Sequence, residues 1–398
     1  MISHSTLRRR AIAVACSAIA LALVALPTLP TAEADADGSG GSAVVHKSGA
    51  RKISAKGRKV PDAKLYRTGY AAGEPTLGID KEGTVYFTTI NLLSPANNPG
   101  AKNDPDVLKS ADEGKSWENV SPKLGPLNAH QVSLDPYIWL DRPTGRIFNI
   151  DLTVACSLLS YSDDGGKSWV TNPLACGQPV NDHQTLFGGP PVSSPTIGYP
   201  HILYYCWNDI ASSSCSKSLD GGLTFHRTGA PAYPGVDPAA GSQGAGFCGG
   251  LHGHGYVGPD GTVYLPKGHC GAPMLSISKD EGKTWTRVRV ADITIEQHEA
   301  SVAADKKGNL YYLFIRKEDR MPYLVISKDG GETWAKPIMV GAPGLTQANL
   351  PTLDMSSPGK VAVAYLGSTY APRGPVFPCS SHPDYAMTTW NGYITMTT

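Results

Sequence analysis

The chain reads SKDEGKTW from Ser278 to Trp285 and, 49 residues further on, SKDGGETW from Ser327 to Trp334. Earlier copies are SADEGKSW from Ser110, SDDGGKSW from Ser162 and SLDGGLTF from Ser218. Successive copies stand 49 to 60 residues apart, a period that marks stacked or radially repeated units. One unit shows what repeats: ASVAAD turns at KKGN into LYYLFIR, then YLVISKD turns at GGE into TWAKPIMV. These are four short runs rich in Val, Ile, Tyr and Phe, bounded by turn residues, with no amphipathic helix. TLGIDKEGTVYFTTI and GYVGPDGTVYLPKG repeat the first hairpin elsewhere. Four antiparallel strands per repeat, set around an axis, make a β-propeller.

Each octapeptide falls between the third and fourth strands of its unit. Its Ser and Asp side chains can hydrogen-bond backbone groups within a tight turn. Its Gly supplies positive φ, and its Trp or Phe offers a large apolar plate for burial. Asp112, Asp164, Asp220, Asp280 and Asp329 are thus expected to be structural fasteners. Catalytic groups belong instead at the starts of the first strands, which line a propeller's centre.

The pattern S-x-D-x-G-x-[ST]-[WF] resembles the Asp box of the sialidase-like propellers, also called the bacterial neuraminidase repeat. The resemblance implies an all-β, sialidase-like propeller of six or more four-stranded antiparallel blades over residues 63–398. Five boxes close five blades. A sixth begins at LPTLDMSSPGKVAVAYLGS and stops at GYITMTT, so a continuation beyond Thr398 is expected.

Arg8, Arg9 and Arg10 precede an apolar run from Ala11 to Leu26 and then small residues, the pattern of a cleaved export signal over residues 1–36. Residues 37–62 are Gly-, Ser- and Lys-rich and read as a tether. The mature protein is expected to be secreted, free of the membrane and monomeric. Charged residues make up 17% of the chain and the net charge is +1, which gives no electrostatic case for nucleic acid. Outside the cell disulfides persist. Three sequence-local couples are expected, Cys156–Cys176, Cys206–Cys215 and Cys248–Cys270, with Cys379 left over. Metal ligation is the alternative for these cysteines, but no C-x-x-C spacing supports it.

Sialidases grip a sugar carboxylate with three arginines, use a Tyr backed by a Glu as nucleophile, and an Asp as acid/base. The resemblance therefore implies exo-α-sialidase chemistry on terminal sialic acid or a related acidic sugar, with no cofactor and a glycan or glycoconjugate as partner. The matching stretch is HEASVAADKKGNLYYLFIRK, which places Glu299 and Arg316 in the Glu and Arg positions. A turn centred between Lys307 and Gly308 would set these two opposite each other. The family's first arginine motif reads GEP here, so Glu74 stands where a guanidinium is expected, and Arg67 is the nearby substitute. Asp104 and Asp106 are the acid/base candidates. Arg373 is the third arginine, and Tyr385 or Tyr393 the nucleophile.

A second cluster, in FCGGLHGHGYVGPDGTVYLPKGHCG, departs from that pattern. With a turn centred at Asp260–Gly261, His252 faces His269 and His254 faces Lys267. Such a pair suits a metal or a polar ligand as well as ordinary loop histidines. His183 and His298 occupy comparable strand starts. Several blades thus offer His or Glu to one polar pocket at the propeller's mouth. No metal site is assigned. The other reading of this chain is a noncatalytic propeller that binds glycan or protein through that face.

Overall fold

A computed structural model describes residues 75–89, 107–124, 129–130, 135–153, 156–172, 181–209, 212–237, 248, 250–295, 299–370 and 389–396, with Lys64, Tyr66, Thr68 and Tyr70. Among these residues every regular element is a β-strand. Five sheets have four antiparallel strands in sequential order: blades I (77–119), II (136–172), III (182–227), IV (256–289) and V (301–339). Blade VI (347–396) has three described strands. A short hairpin, Lys123–Leu124 with Ala129–His130, lies between blades I and II in sequence.

The first strands of successive blades are neighbours: Leu77–Ile79, Pro136–Asp141, Asp182–Gly189, Tyr256–Val257, Ser301–Ala304 and Gln347–Ser357. They form the inner wall of a β-propeller. Second strands such as Ile202–Asn208, Val263–His269 and Leu310–Ile315 are buried along their whole length. Each is covered on both faces, which explains their near-continuous apolar runs. The core is accordingly divided into five clusters, each shared between two successive blades. Phe148, Ile150 and Leu159 of blade II, for example, pack on Leu186, Leu203 and Trp207 of blade III.

The five octapeptides are the fasteners their composition suggests, and their hydrogen bonding repeats. In blade II, Ser162 Oγ donates to Asp164 Oδ1 (2.8 Å) and accepts from the Gly166 N–H (2.8 Å). The Ser168 N–H then donates to Asp164 Oδ1 (2.9 Å). Asp112, Asp220, Asp280 and Asp329 hold the same partners. These donors keep Asp112, Asp164 and Asp329 near pKa 2, the hydroxyls of Ser116, Ser168 and Thr333 contributing most. The box aromatics point back: Trp169, Phe225, Trp285 and Trp334 each pack on the cluster shared with the preceding blade. A Cβ on Gly166 would sit 2.9 Å from Val120 Cβ, so close approach fixes that glycine as firmly as its φ of 85°.

Cys206–Cys215 bridges two paired strands of blade III, and Cys248–Cys270 ties the segment before blade IV to the end of its second strand. The expected Cys156–Cys176 bridge involves Cys176, which lies outside the described residues, as do Cys379, the export signal and the tether.

Candidate functional site

The first strands all run from the same end of the propeller, so their starting residues meet at one mouth. Blade III contributes His183, and its backbone there is unusual. His183 has φ of 48°, in the left-handed region, and the pairing with the second strand shifts between Asp182 and Thr185. A non-glycine residue in that conformation costs about 1–2 kcal/mol, and the bulge re-aims its side chain. The imidazole crosses the head of blade IV to reach Glu299 of blade V, with His183 Nε2 3.0 Å from Glu299 Oε1. Glu299 keeps 27% of its side chain exposed.

Blade IV supplies the two histidines between them. The rings of His252 and His254 lie 5.9 and 6.4 Å from that of His183, both edge-on. His252 is fully buried; its Nδ1 meets the Gly253 carbonyl (2.8 Å), and its Nε2 has no hydrogen-bond partner among the described residues. Burial, with the neighbouring His183, drives its pKa well below the ordinary histidine value. His254 is exposed in the mouth and meets the Tyr137 hydroxyl of blade II at 3.1 Å. Thr185 also donates to that hydroxyl (3.2 Å). Burial pushes Tyr137 up to about 12, so it stays a neutral phenol at physiological pH.

Two further groups have no site role in the sequence reading, although Lys267 was expected opposite His254. Asp151, near the same end of blade II, is buried, accepts from Asn149 Nδ2 (2.8 Å) and is pushed up to about 7 by burial. Its sequence signal is an acid inside an apolar strand, FNIDL. Lys267 is 1% exposed, donates to Ser213 Oγ (3.1 Å) and is drawn down to about 8 by burial.

The structure corrects two pairings. Ala304 pairs with Leu310 and Ser301 with Leu313, a register one residue away from the one that would set Glu299 against Arg316. Arg316 instead bridges to Ile295, and its guanidinium binds Asp319 and stacks on Tyr323 (4.3 Å). In blade IV, His252 faces Lys267, not His269. His269 packs on Tyr233 (5.0 Å) beside Asp237 and Arg287, away from the other histidines. A three-residue loop shifts each register by one position, and in blade IV a second position is lost between Tyr256, which pairs with Tyr264, and His252. The Asp305-to-Asn309 and Gly258-to-Thr262 turns are three-residue loops closed by Gly308 and Gly261 at positive φ, where a two-residue turn was expected. Tyr393 stacks on Tyr365 in the outer strands of blade VI and takes no part in the mouth. Cys248, His269 and Cys270 lie within 4.8 Å of one another, but the two sulfurs are joined and offer no thiolate to a metal. Arg67, Glu74, Asp104, Asp106, Arg373, Tyr385 and His298 fall outside the described residues.

No protein-family model and no curated protein matches the chain. Among solved structures it is similar to a leech intramolecular trans-sialidase complexed with 2,7-anhydro-Neu5Ac, with a TM-score of 0.50 and 14% identity over 82% of this chain and 68% of that one. The chain has the fold of the sialidase-like β-propellers. A Hadza microbial sialidase (TM-score 0.48, 18% identity, 79% of this chain and 69% of that one) is also similar. So is the Ruminococcus gnavus intramolecular trans-sialidase (0.49, 14%, 75% and 90%). At these identities the likeness is one of fold. What this sialidase-like propeller does depends on its own mouth, where an imidazole–carboxylate pair meets neutral histidines and a phenol.

Proposed function

We propose that the protein is secreted and that it binds an acidic glycan at the mouth of the propeller and hydrolyses it there. Terminal sialic acid or a related sugar is the substrate class. The observation that carries this reading is the His183–Glu299 contact, which places a partly exposed carboxylate, held by a strained histidine, at the head of an inner strand. Glu299 accepts the hydrogen bond from His183 and serves as the carboxylate that takes or returns a proton; His183 positions it. Tyr137 and His254 add a neutral phenol and an imidazole that hydrogen-bond sugar hydroxyls. Arg67 and Arg373 are the proposed carboxylate-binding arginines, with Glu74 as a further substrate-binding residue, Asp104 or Asp106 as the acid/base and Tyr385 as nucleophile.

A second reading, glycan binding without turnover, is favoured by Arg316, whose guanidinium is occupied by Asp319. Fluorogenic α-sialoside hydrolysis by the secreted protein, beside a glycan array, separates the two. Turnover that Glu299→Gln lowers by about 10²-fold or more supports catalysis. Array binding without turnover supports the second reading, and neither result from folded protein rejects both.

A further inference from the structure

The opposite end of the inner wall carries a second constellation. Six residues separate His183 from Gly189 along one inner strand, about 20 Å at the usual rise. There, a cavity of about 310 Å³ opens among the ends of blades II to V, lined in part by Trp139, Arg142, Phe187, His201, Tyr256 and Lys306. Its polar centre is His201, whose Nδ1 lies 2.7 Å from Asp141 Oδ2. Asp141 is 2% exposed and also accepts from the hydroxyls of Tyr199 and Thr144. Burial alone would raise its pKa, but the bonds from His201 and Tyr199 hold it below the usual carboxylate value. An ionised carboxylate only accepts, so Nδ1 carries the hydrogen and Nε2 is the ring's acceptor when neutral.

The acids at this end are used internally. Asp141 is saturated by its donors, and Asp305 caps its own turn through the Lys307 and Asn309 N–H groups (2.8 and 3.1 Å). The bases are not. Arg142 and Lys306 are exposed and have no ion-pair partner among the described residues. An oriented acceptor, aromatic walls and two free cations around one small cavity match one kind of ligand. We propose that this end of the propeller is a second binding site, for a carboxylate-bearing ligand of monosaccharide size. A ligand hydroxyl donates to His201 Nε2, the carboxylate pairs with Arg142 and Lys306, and the ring lies against Trp139. The site is separate from the mouth and does not rest on the mouth's chemistry.

The test is calorimetric titration of D-glucuronate, with D-glucose as the neutral control, into the Glu299→Gln protein, so that the mouth's carboxylate is removed. The expected result is saturable glucuronate binding below about 10 mM, with no comparable glucose signal. Arg142→Ala and Lys306→Ala, both surface changes that leave the fold intact, should each weaken it by about fivefold or more. His201→Gln should weaken it similarly. Absent glucuronate binding, equal binding of glucose, or undiminished binding in an Arg142→Ala/Lys306→Ala double variant would overturn the proposal. So would binding seen only when Glu299 is intact.

Discussion

His183 of blade III and Glu299 of blade V approach to 3.0 Å across the head of the blade that separates them. The contact is built on a backbone conformation that His183 adopts against its own preference. Strain of this kind persists where surrounding structure enforces it, and it concentrates at ligand sites. The His183→Gly variant removes the side chain and relieves about 1–2 kcal/mol of left-handed strain. That relief offsets the lost contact and glycine's added chain entropy. We expect a thermal midpoint close to that of the parent protein, with binding or turnover at the mouth lost. A large fall in midpoint would show His183 to be a structural residue only.

The Asp boxes separate two glutamates that sequence treats alike. Glu113 and Glu281 both occupy the box position that is Gly165, Gly221 or Gly330 elsewhere, and all five have positive φ. Glu113 is exposed, whereas Glu281 is fully buried. Glu281 accepts from the Val192, Ser193 and Ser194 N–H groups (3.0, 2.8 and 2.9 Å) and from Lys217 Nζ (2.8 Å). Removing it strands Lys217 and three amides, so Glu281→Ala should destabilise by about 3–5 kcal/mol. Glu113→Gly should be neutral or stabilising by up to about 1 kcal/mol. Denaturant unfolding of the two variants measures both.

Stability should fall in acid in two windows. Burial, together with the nearby Lys267 charge, holds His269 at about 4, and His252 is also held well below its ordinary value. The unfolded chain takes up these protons below about pH 6.5 and the folded chain does not, so each histidine lowers stability between pH 6.5 and 4 by about 1.4 kcal/mol per unit, and Asp151, held at about 7, offsets about one histidine's share over the same range. The Asp-box carboxylates, held near 2, add a further loss as pH falls from about 4 to 2. Urea midpoints across this range, beside those of a His269→Gln variant, check the first window, which the variant should make shallower.

Lys267 produces a slope of the same sign in alkali. Its folded pKa of about 8 lies below the unfolded value, so the unfolded chain binds the extra proton between pH 8 and 10. Stability should therefore rise with pH by about 1.4 kcal/mol per unit there. Above pH 10 the buried Tyr137 and Tyr205, held at about 12, reverse the trend. Lys267→Met should abolish the rise and be more stable than the parent at pH 7. Midpoints that are flat from pH 8 to 10 in the parent protein would contradict this.

The blades were legible because a propeller writes its turn chemistry and strand alternation into every repeat. The boxes from Ser110 to Trp334 placed five third-to-fourth-strand turns correctly. The mouth was legible only as a set of strand starts. His183, His252, His254 and Glu299 could be assigned to one end, but which of them touch depends on a one-residue register and on a bulge at His183. A three-residue loop and a two-residue turn differ by one position, and that difference separated Glu299 from Arg316. Asp141 and His201 escaped because they sit at the far ends of strands from different blades, and nothing in their local sequence joins them.

The most direct measurement is of the histidines themselves: long-range ¹H–¹⁵N imidazole spectra of the folded protein during titration with 3′-sialyllactose. A glycan-binding mouth predicts saturable shifts of the His183 and His254 ring nitrogens, with His226, exposed on an outer strand of blade III, unmoved. Those shifts should disappear in His183→Gly. A folded protein whose His183 and His254 resonances stay fixed at saturating glycan would contradict the assignment of the mouth as the site.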